Sequence, residues 1–133
     1  MEPYQSDPET DNEMLPVVDA HDHVVGKAPR AEIHENMMLH RAIHVILHDG
    51  AGNVLLQKRS RTKDRHPGKW DISVGGHVNL GEEYDQTAIR EIHEEMGISG
   101  ARPTFVKKLS PAERNGYEFV AVYALQINSG ERP

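Results

Sequence analysis

The chain has 133 residues, with 21 Asp and Glu against 15 Lys and Arg, and it contains no cysteine. This length fits one domain, and a chain without cysteine has no disulfide framework, thiolate metal site or cysteine nucleophile. The formal charge of −6 gives no long-range attraction to nucleic acid or anionic lipid, although a local basic patch can still bind phosphate.

The N-terminal region divides into a polar tail and a pair of strands. Residues 1–14 are acidic and almost free of apolar side chains, which predicts a flexible tail. With neither a basic start nor a long apolar run, we expect a cytoplasmic protein that does not enter a membrane. Two apolar runs, Val17–Asp19 and Val24–Gly26, flank a polar turn and predict two short strands.

The middle of the chain predicts a hairpin and a basic loop. Turn residues separate the apolar runs His40–Asp49 and Val54–Arg59, which favours a hairpin. The basic residues that follow are candidates to bind a diphosphate, namely Lys58, Arg59 and Lys69. A solvated loop is the alternative. Aromatic residues make up only 5% of the chain, which argues against a nucleic-acid surface.

The clearest helix runs from about Glu83 to Met96. A strand, Trp70–Val74, precedes it and is expected to stop at Gly75 and Gly76. Gly97 is the expected C-terminal stop of the helix. The side chains predicted to face the core are Ile89, Ile92 and Met96.

Two more strands, Thr104–Leu109 and Tyr117–Ile127, follow the helix, and the second is strongly apolar. Strands thus dominate around one certain helix. The fold class is therefore α+β, or a mixed sheet with helices packed on it.

Three glutamates of the helix share one arc that lies away from the apolar face. Glu91, Glu94 and Glu95 are spaced i, i+3 and i+4, so their negative charges repel one another. A divalent cation reverses the sign of that interaction, and oxygen ligands suit Mg²⁺ or Mn²⁺. The alternative is a solvated acidic helix face.

The residues around this arc form a longer pattern. Gly76, five residues, Glu82 and seven residues lead to Arg90–Ile98, which reads Arg-Glu-aliphatic-x-Glu-Glu-x-Gly-aliphatic. Every fixed position of the Nudix box is filled, so the chain resembles Nudix hydrolases. The resemblance implies an α/β/α sandwich with a mixed central sheet. It also implies hydrolysis of a nucleoside diphosphate derivative or a related organic diphosphate by water attack on phosphorus.

The motif residues have expected roles. Gly75 and Gly76 are expected to turn the chain sharply and to direct backbone N–H groups to an anion. We expect Glu82 to contact Arg90, which then orients Glu91. The expected ligands of the Mg²⁺ or Mn²⁺ cofactor are Glu91, Glu94 and Glu95, one of which also polarises the attacking water.

A narrower resemblance points to the branch of the family related to isopentenyl-diphosphate isomerase. It rests on Leu39–Ala42, Leu55–Ser60 and Pro67–Asp71. Those isomerases need a cysteine near the position of Gly75 and carry metal on histidines and acids outside a degenerate box. Here the cysteine is absent and the box is complete, which favours a hydrolase in an isomerase-like frame.

Five residues bear on an isomerase-type metal site. His40 and His77 match two of its ligands, and His34 is offset from a third. Glu118 matches one of its acids, while Gly116 occupies the position of the other. In a hydrolase, Glu118 is a candidate fourth metal ligand or general base, and an exposed strand-end residue is the alternative.

The resemblance gives a Nudix domain over residues 15–128 and a tail over residues 129–133. A complete fold would continue with another strand and a helix, so one wall of the pocket is expected to be short or supplied by the partner in a homodimer. The small-molecule partner is a diphosphate substrate. Two alternatives remain, a binding or regulatory module of weak activity and an isomerase-like enzyme.

Overall fold

The computed structural model describes residues 13–51, 54, 57–58, 70–71, 73–113 and 116–127, with only the backbone at 57–58, 70–71 and 73. Most of the predicted tail therefore lies outside the described residues. Its end does not match the prediction, because Met14 begins a strand and the carbonyl of Glu13 accepts a hydrogen bond from the backbone N–H of Arg30. None of the helices in the described ranges is long and apolar enough to cross a bilayer.

The elements follow one another in a mixed order. They are β1 (Met14–Val18), β2 (Val24–Pro29), α1 (Arg30–Glu35), β3 (His40–His48), β4 (Gln57–Lys58), β5 (Trp70–Asp71), β6 (Ser73–His77), α2 (Tyr84–Met96), β7 (Thr104–Leu109) and β8 (Glu118–Gln126). The predicted strand pair before residue 30, the long helix and the last two strands are confirmed.

Four strands form the central sheet in the order β6-β3-β8-β7. Strand β3 pairs antiparallel with β6 and parallel with β8, and β7 pairs antiparallel with β8. The sheet is therefore mixed, as predicted. Side chains from one face of β3 and β8 pack against α2 in the main core, including the fully buried Ile43 and Val45.

The core face of α2 differs from the predicted one at Ile89, which is 41% exposed. The row that faces the sheet is Ala88, Ile92 and Met96, joined by Thr87. The Thr87 hydroxyl donates to Glu82 and to the carbonyl of Glu83. With Thr87 and Ala88 buried beside Ile92 and Met96, Ile89 lies toward the solvent side of the helix.

Most of the second arm of the predicted hairpin after β3 lies outside the described residues. The part that is described contains one antiparallel bridge, between His48 and Val54. Strand β4 pairs with β5. The expected stop at two glycines is wrong, because β6 runs through Gly75 and Gly76 to His77.

Helix α1 was not predicted. It has six residues, of which only Ile33 is buried, so the sequence shows no apolar period. Ile33 packs with Leu15 of β1 and Ala28 of β2 in a separate small cluster. This cluster joins the helix to the first two strands rather than to the main core.

A buried carboxylate joins the β1–β2 turn to the sheet and the long helix. Asp22 has a positive φ of 63°, and its side chain is 5% exposed. It accepts hydrogen bonds from Arg41 Nε at 2.8 Å, Lys108 Nζ at 2.7 Å and the Tyr84 hydroxyl at 2.7 Å. Burial alone would raise the pKa of Asp22, but the hydrogen bonds from Lys108, Arg41 and Tyr84 outweigh it and lower that pKa.

We expect Asp22→Asn to lower the free energy of unfolding by about 3 kcal/mol, because it leaves two cations facing a neutral group. Asparagine tolerates the positive φ, so the change isolates the charge. The stabilisation from Asp22 is present above the unfolded pKa of about 3.9 and is lost as the pH falls through the lowered folded value. Urea unfolding at pH 7 and at pH 3 measures both effects.

Asp19→Asn is the matched control in the same turn. Its Oδ1 accepts from the backbone N–H groups of His21 and His23, and asparagine keeps that oxygen. We expect a change of no more than about 0.5 kcal/mol. Equal losses for the two variants would contradict the role assigned to the Asp22 charge.

Candidate active site

Residues within and next to helix α2 cap it at both ends. At the N-terminus Glu83 and Gln86 form a reciprocal capping box. At the C-terminus Gly97 adopts the left-handed conformation, with φ of 72°, and its N–H donates to the carbonyl of His93. These caps set where the helix begins and ends, and its acidic side chains therefore lie close to Glu82.

Arg90 holds three of the predicted acids together. Its Nε and Nη2 donate to the two oxygens of Glu82 at 2.8 and 3.1 Å. Its Nη1 donates to Glu91 at 2.7 Å and to Glu94 at 3.2 Å. The predicted contact between Glu82 and Arg90 is therefore present, and the same guanidinium orients Glu91.

The charges in this group do not balance. Hydrogen bonding to Glu82 raises the pKa of Arg90, and burial raises the pKa of Glu91, with Glu94 acting in the same direction. Glu95 lies one turn after Glu91 on the same arc of the helix. One guanidinium cannot neutralise four carboxylates, and oxygen-rich anionic groups of this kind fit a hard divalent cation.

Gly76 makes room for the central acid of this group. A Cβ at position 76 would lie 2.4 Å from Cδ of Glu91, far inside van der Waals contact. Gly76 pairs with Ile43 in the sheet, so the role expected for it in a sharp turn is wrong. The glycine instead lets the Glu91 carboxylate lie against the backbone of β6.

A second group lies on the opposite face of the sheet. Glu118 Oε2 is 3.0 Å from His40 Nε2 and 3.4 Å from His77 Nε2. Among the described residues, these three form the one group of at least three metal-type side chains whose ligand atoms lie within 4.8 Å of one another. Hydrogen bonds from the two histidines overcome the effect of burial and lower the pKa of Glu118 to about 2.

His40 presents its Nε2 to this group. Its Nδ1 donates to the carbonyl of Met38 at 2.8 Å, and the ring is 1% exposed. A histidine whose other ring nitrogen donates to a carbonyl is the usual arrangement of a metal ligand. The nitrogen and oxygen donors of the group fit Zn²⁺, Mn²⁺ or a similar ion.

His34 supplies a third ring. Its centroid lies 5.6 Å from those of His40 and of His77, which are 5.3 Å from each other. Burial, reinforced by His77 and Arg30, lowers the pKa of His34 to about 4, so this ring is neutral at pH 7.

Glu118 does not form one cluster with the helical acids, as the predicted fourth ligand would. Strand β8 pairs Glu118 with His40, on the face of the sheet away from Glu91. The histidine partners were available from the sequence only through the isomerase resemblance, because their separations along the chain carry no local period.

The predicted diphosphate-binding residues are described unevenly. Gly75 and Gly76 lie inside β6. The backbone of Lys58 lies in β4, whereas Arg59 and Lys69 are outside the described residues. Their interaction with a substrate stays a prediction.

The arrangement of these residues is accompanied by similarity to a known protein family. The NUDIX domain matches residues 38–131, which is more than half of the chain. The chain belongs to the Nudix family. An uncharacterised Nudix hydrolase of Streptomyces coelicolor is 37% identical over 124 residues, which cover 92% of this chain and 68% of that protein.

Other Nudix relatives match over a shorter range. Isopentenyl-diphosphate Delta-isomerase 2 of Photorhabdus laumondii is 45% identical over 87 residues, or 65% of this chain and 49% of that protein. The crystal structure of DR0079 from Deinococcus radiodurans is similar with a TM-score of 0.75 and 28% identity, over 88% of this chain and 74% of that one. The predicted fold class is thus confirmed. The chain spans about half the length of several of the curated relatives it matches.

We expect Gly76→Ala to weaken Mn²⁺ binding by about 10-fold or more, because the new methyl group displaces the Glu91 carboxylate from the Arg90 group. The matched control is Gly26→Ala, where a Cβ would have nothing within 4 Å. Isothermal titration of Mn²⁺ into the three proteins measures the change. Equal affinity in the Gly76 variant and the unsubstituted chain would refute the importance of this close approach.

Proposed function

We propose that the chain is a Mg²⁺- or Mn²⁺-dependent hydrolase that cleaves a diphosphate linkage by attack of water on phosphorus. The substrate class is a nucleoside diphosphate derivative or a related organic diphosphate. The observation that carries the proposal is the contact of Arg90 with Glu82, Glu91 and Glu94 on the helix of a complete Nudix box. A binding module has no evident need for such a concentration of acids.

We assign each residue of this group a role according to its position. We assign Glu91, Glu94 and Glu95 as ligands of the divalent ion, which supplies charge neutralisation at the diphosphate oxygens and lowers the pKa of water. Arg90 keeps two of these carboxylates in place, and Glu82 anchors Arg90 from the loop before the helix. The chemistry required of the protein itself is positioning and screening of charge.

We further assign His40, His77 and Glu118 as ligands of a second divalent ion. Their donor atoms already face one another, and the Met38 carbonyl orients the ring of His40. In this proposal Glu118 serves the histidine group rather than the helical acids. A diphosphate has enough oxygens to contact ions on both sides of β6, with the basic residues Lys58, Arg59 and Lys69 as candidates to hold its far end.

A second candidate function is isomerisation of an isopentenyl-type diphosphate by proton transfer. The histidine group and the relative named as an isomerase favour it. The complete box and the glycine at position 75 oppose it, since no thiol is available for the proton transfer of those isomerases. A regulatory role without turnover is the remaining alternative.

We expect the protein to release phosphate or a nucleotide from at least one member of a panel of nucleoside di- and triphosphates, nucleotide sugars, dinucleoside polyphosphates and CoA. The assays contain Mg²⁺ or Mn²⁺. Isopentenyl diphosphate in D₂O tests the isomerase alternative in parallel, because proton transfer introduces deuterium. Binding of a diphosphate without turnover of any panel member would favour the regulatory reading.

The double variant Glu94→Gln/Glu95→Gln should lower kcat by about 10²-fold or more, because amides bind divalent cations weakly. Glu113→Gln is the control, an exposed acid outside both groups. Initial rates over a range of Mg²⁺ concentrations separate lost metal affinity from misfolding, which circular dichroism monitors. Unchanged turnover in the double variant would remove these two residues from the metal site.

We expect Zn²⁺ to raise the melting temperature through His40, His77 and Glu118, and Glu118→Gln to remove most of that increase. Differential scanning calorimetry with and without Zn²⁺ at pH 7.5 measures the increase. An equal Zn²⁺ effect in Glu118→Gln would exclude this carboxylate as a ligand.

A further inference from the structure

The face of the sheet that carries His40 also carries another histidine with no assigned role. In the register of the sheet, Glu118 of β8 lies beside His40 of β3. One step along, His77 of β6 lies beside Ala42, and the next step places Gly75 beside His44. Alternate residues of a strand share a face, so His44 follows the metal-type group along the same surface.

The ring of His44 leans over β6. A Cβ on Gly75 would lie 3.1 Å from Cδ2 and 3.5 Å from Nε2 of His44. The imidazole therefore lies close above the backbone of Gly75, and a Cβ there would make the ring shift by a few tenths of an ångström. Gly75 is adjacent on this face to His77, at a spacing of about 7 Å, which is comparable to the length of a diphosphate group.

The surroundings of His44 are not those of a core residue. It is exposed, whereas both of its neighbours on the same face of β3 are at least partly covered, Ala42 and Ile46. Within the ranges that the structure describes, its ring makes no hydrogen bond or ion pair. Toward the described part of the chain, an imidazole is thus presented beside a metal-type group with no protein partner, and it is open to solvent.

We propose that His44 is a substrate-binding residue whose Nε2 contacts a phosphate oxygen of the diphosphate that spans from the His40, His77 and Glu118 group toward Gly75. Gly75 favours this arrangement, because a methyl group there would make the ring shift by a few tenths of an ångström. This inference rests on the proposed diphosphate function. It adds a hydrogen-bonding position to that site without changing the metal ligands.

The test uses methylenediphosphonate, a diphosphate analogue whose bridge water does not cleave, titrated into the full chain by calorimetry in Mn²⁺. We expect His44→Phe to raise its Kd by about 10-fold or more, as for loss of a hydrogen bond to a charged group. His44→Gln keeps a donor and should stay within about 3-fold of the unsubstituted protein. Gly75→Ala should weaken binding although it leaves the histidine in the sequence.

The control is His48→Gln, on the same strand and face but four residues farther from the group. It should leave the Kd unchanged, and melting temperatures establish that each variant folds. Normal binding by His44→Phe, with binding by the unsubstituted chain intact, would overturn the role of His44 alone. Failure of the unsubstituted chain both to bind the analogue and to cleave any diphosphate would overturn the inference and the proposed function together.

Discussion

The register of β3 against its two neighbours is the constraint on which both candidate groups depend. Its parallel pairing with β8 sets Glu118 beside His40, and its antiparallel pairing with β6 sets Gly76 beside Ile43. A shift of one residue would move every side chain of a strand to the other face. The fully buried Ile43 and Val45 oppose such a shift, because their apolar side chains would leave the core.

Two adjacent residues of β6 face the two groups, one on each side of the sheet. Gly76 faces α2 and leaves space for Glu91, while His77 points to the other face and meets Glu118. The two groups are also joined through the backbone, since Arg90 Nη2 donates to the carbonyl of His77 at 3.2 Å. A displacement of β6 would therefore disturb the acids and the histidines together, which ties both to the same packed element.

The sequence predicted those parts of the molecule that depend on local chemistry. The long helix has an apolar period and a terminal glycine, and both are visible within a few residues. The prediction for Ile89 was wrong because the rotation of the helix depends on the packing of Ala88, Ile92 and Met96 against the sheet, which is tertiary. The run of β6 through both expected stop glycines has a similar cause, since the pairing of β6 with β3 is invisible in a local pattern.

The residues of the candidate site also differ in how far they could be predicted from local sequence. The Arg90 group lies within one motif and was predicted from spacing, whereas His34, His40, His77 and Glu118 come from four elements or their ends. Residues 13–37 precede the segment matched to the family, yet they contribute His34. Asp22 explains how this early segment is held, because it binds Arg41 of β3, Lys108 of β7 and Tyr84 of α2. The first strand pair is thus fastened to the sheet on one side of α1, and His34 is carried on that helix to the ring of His40.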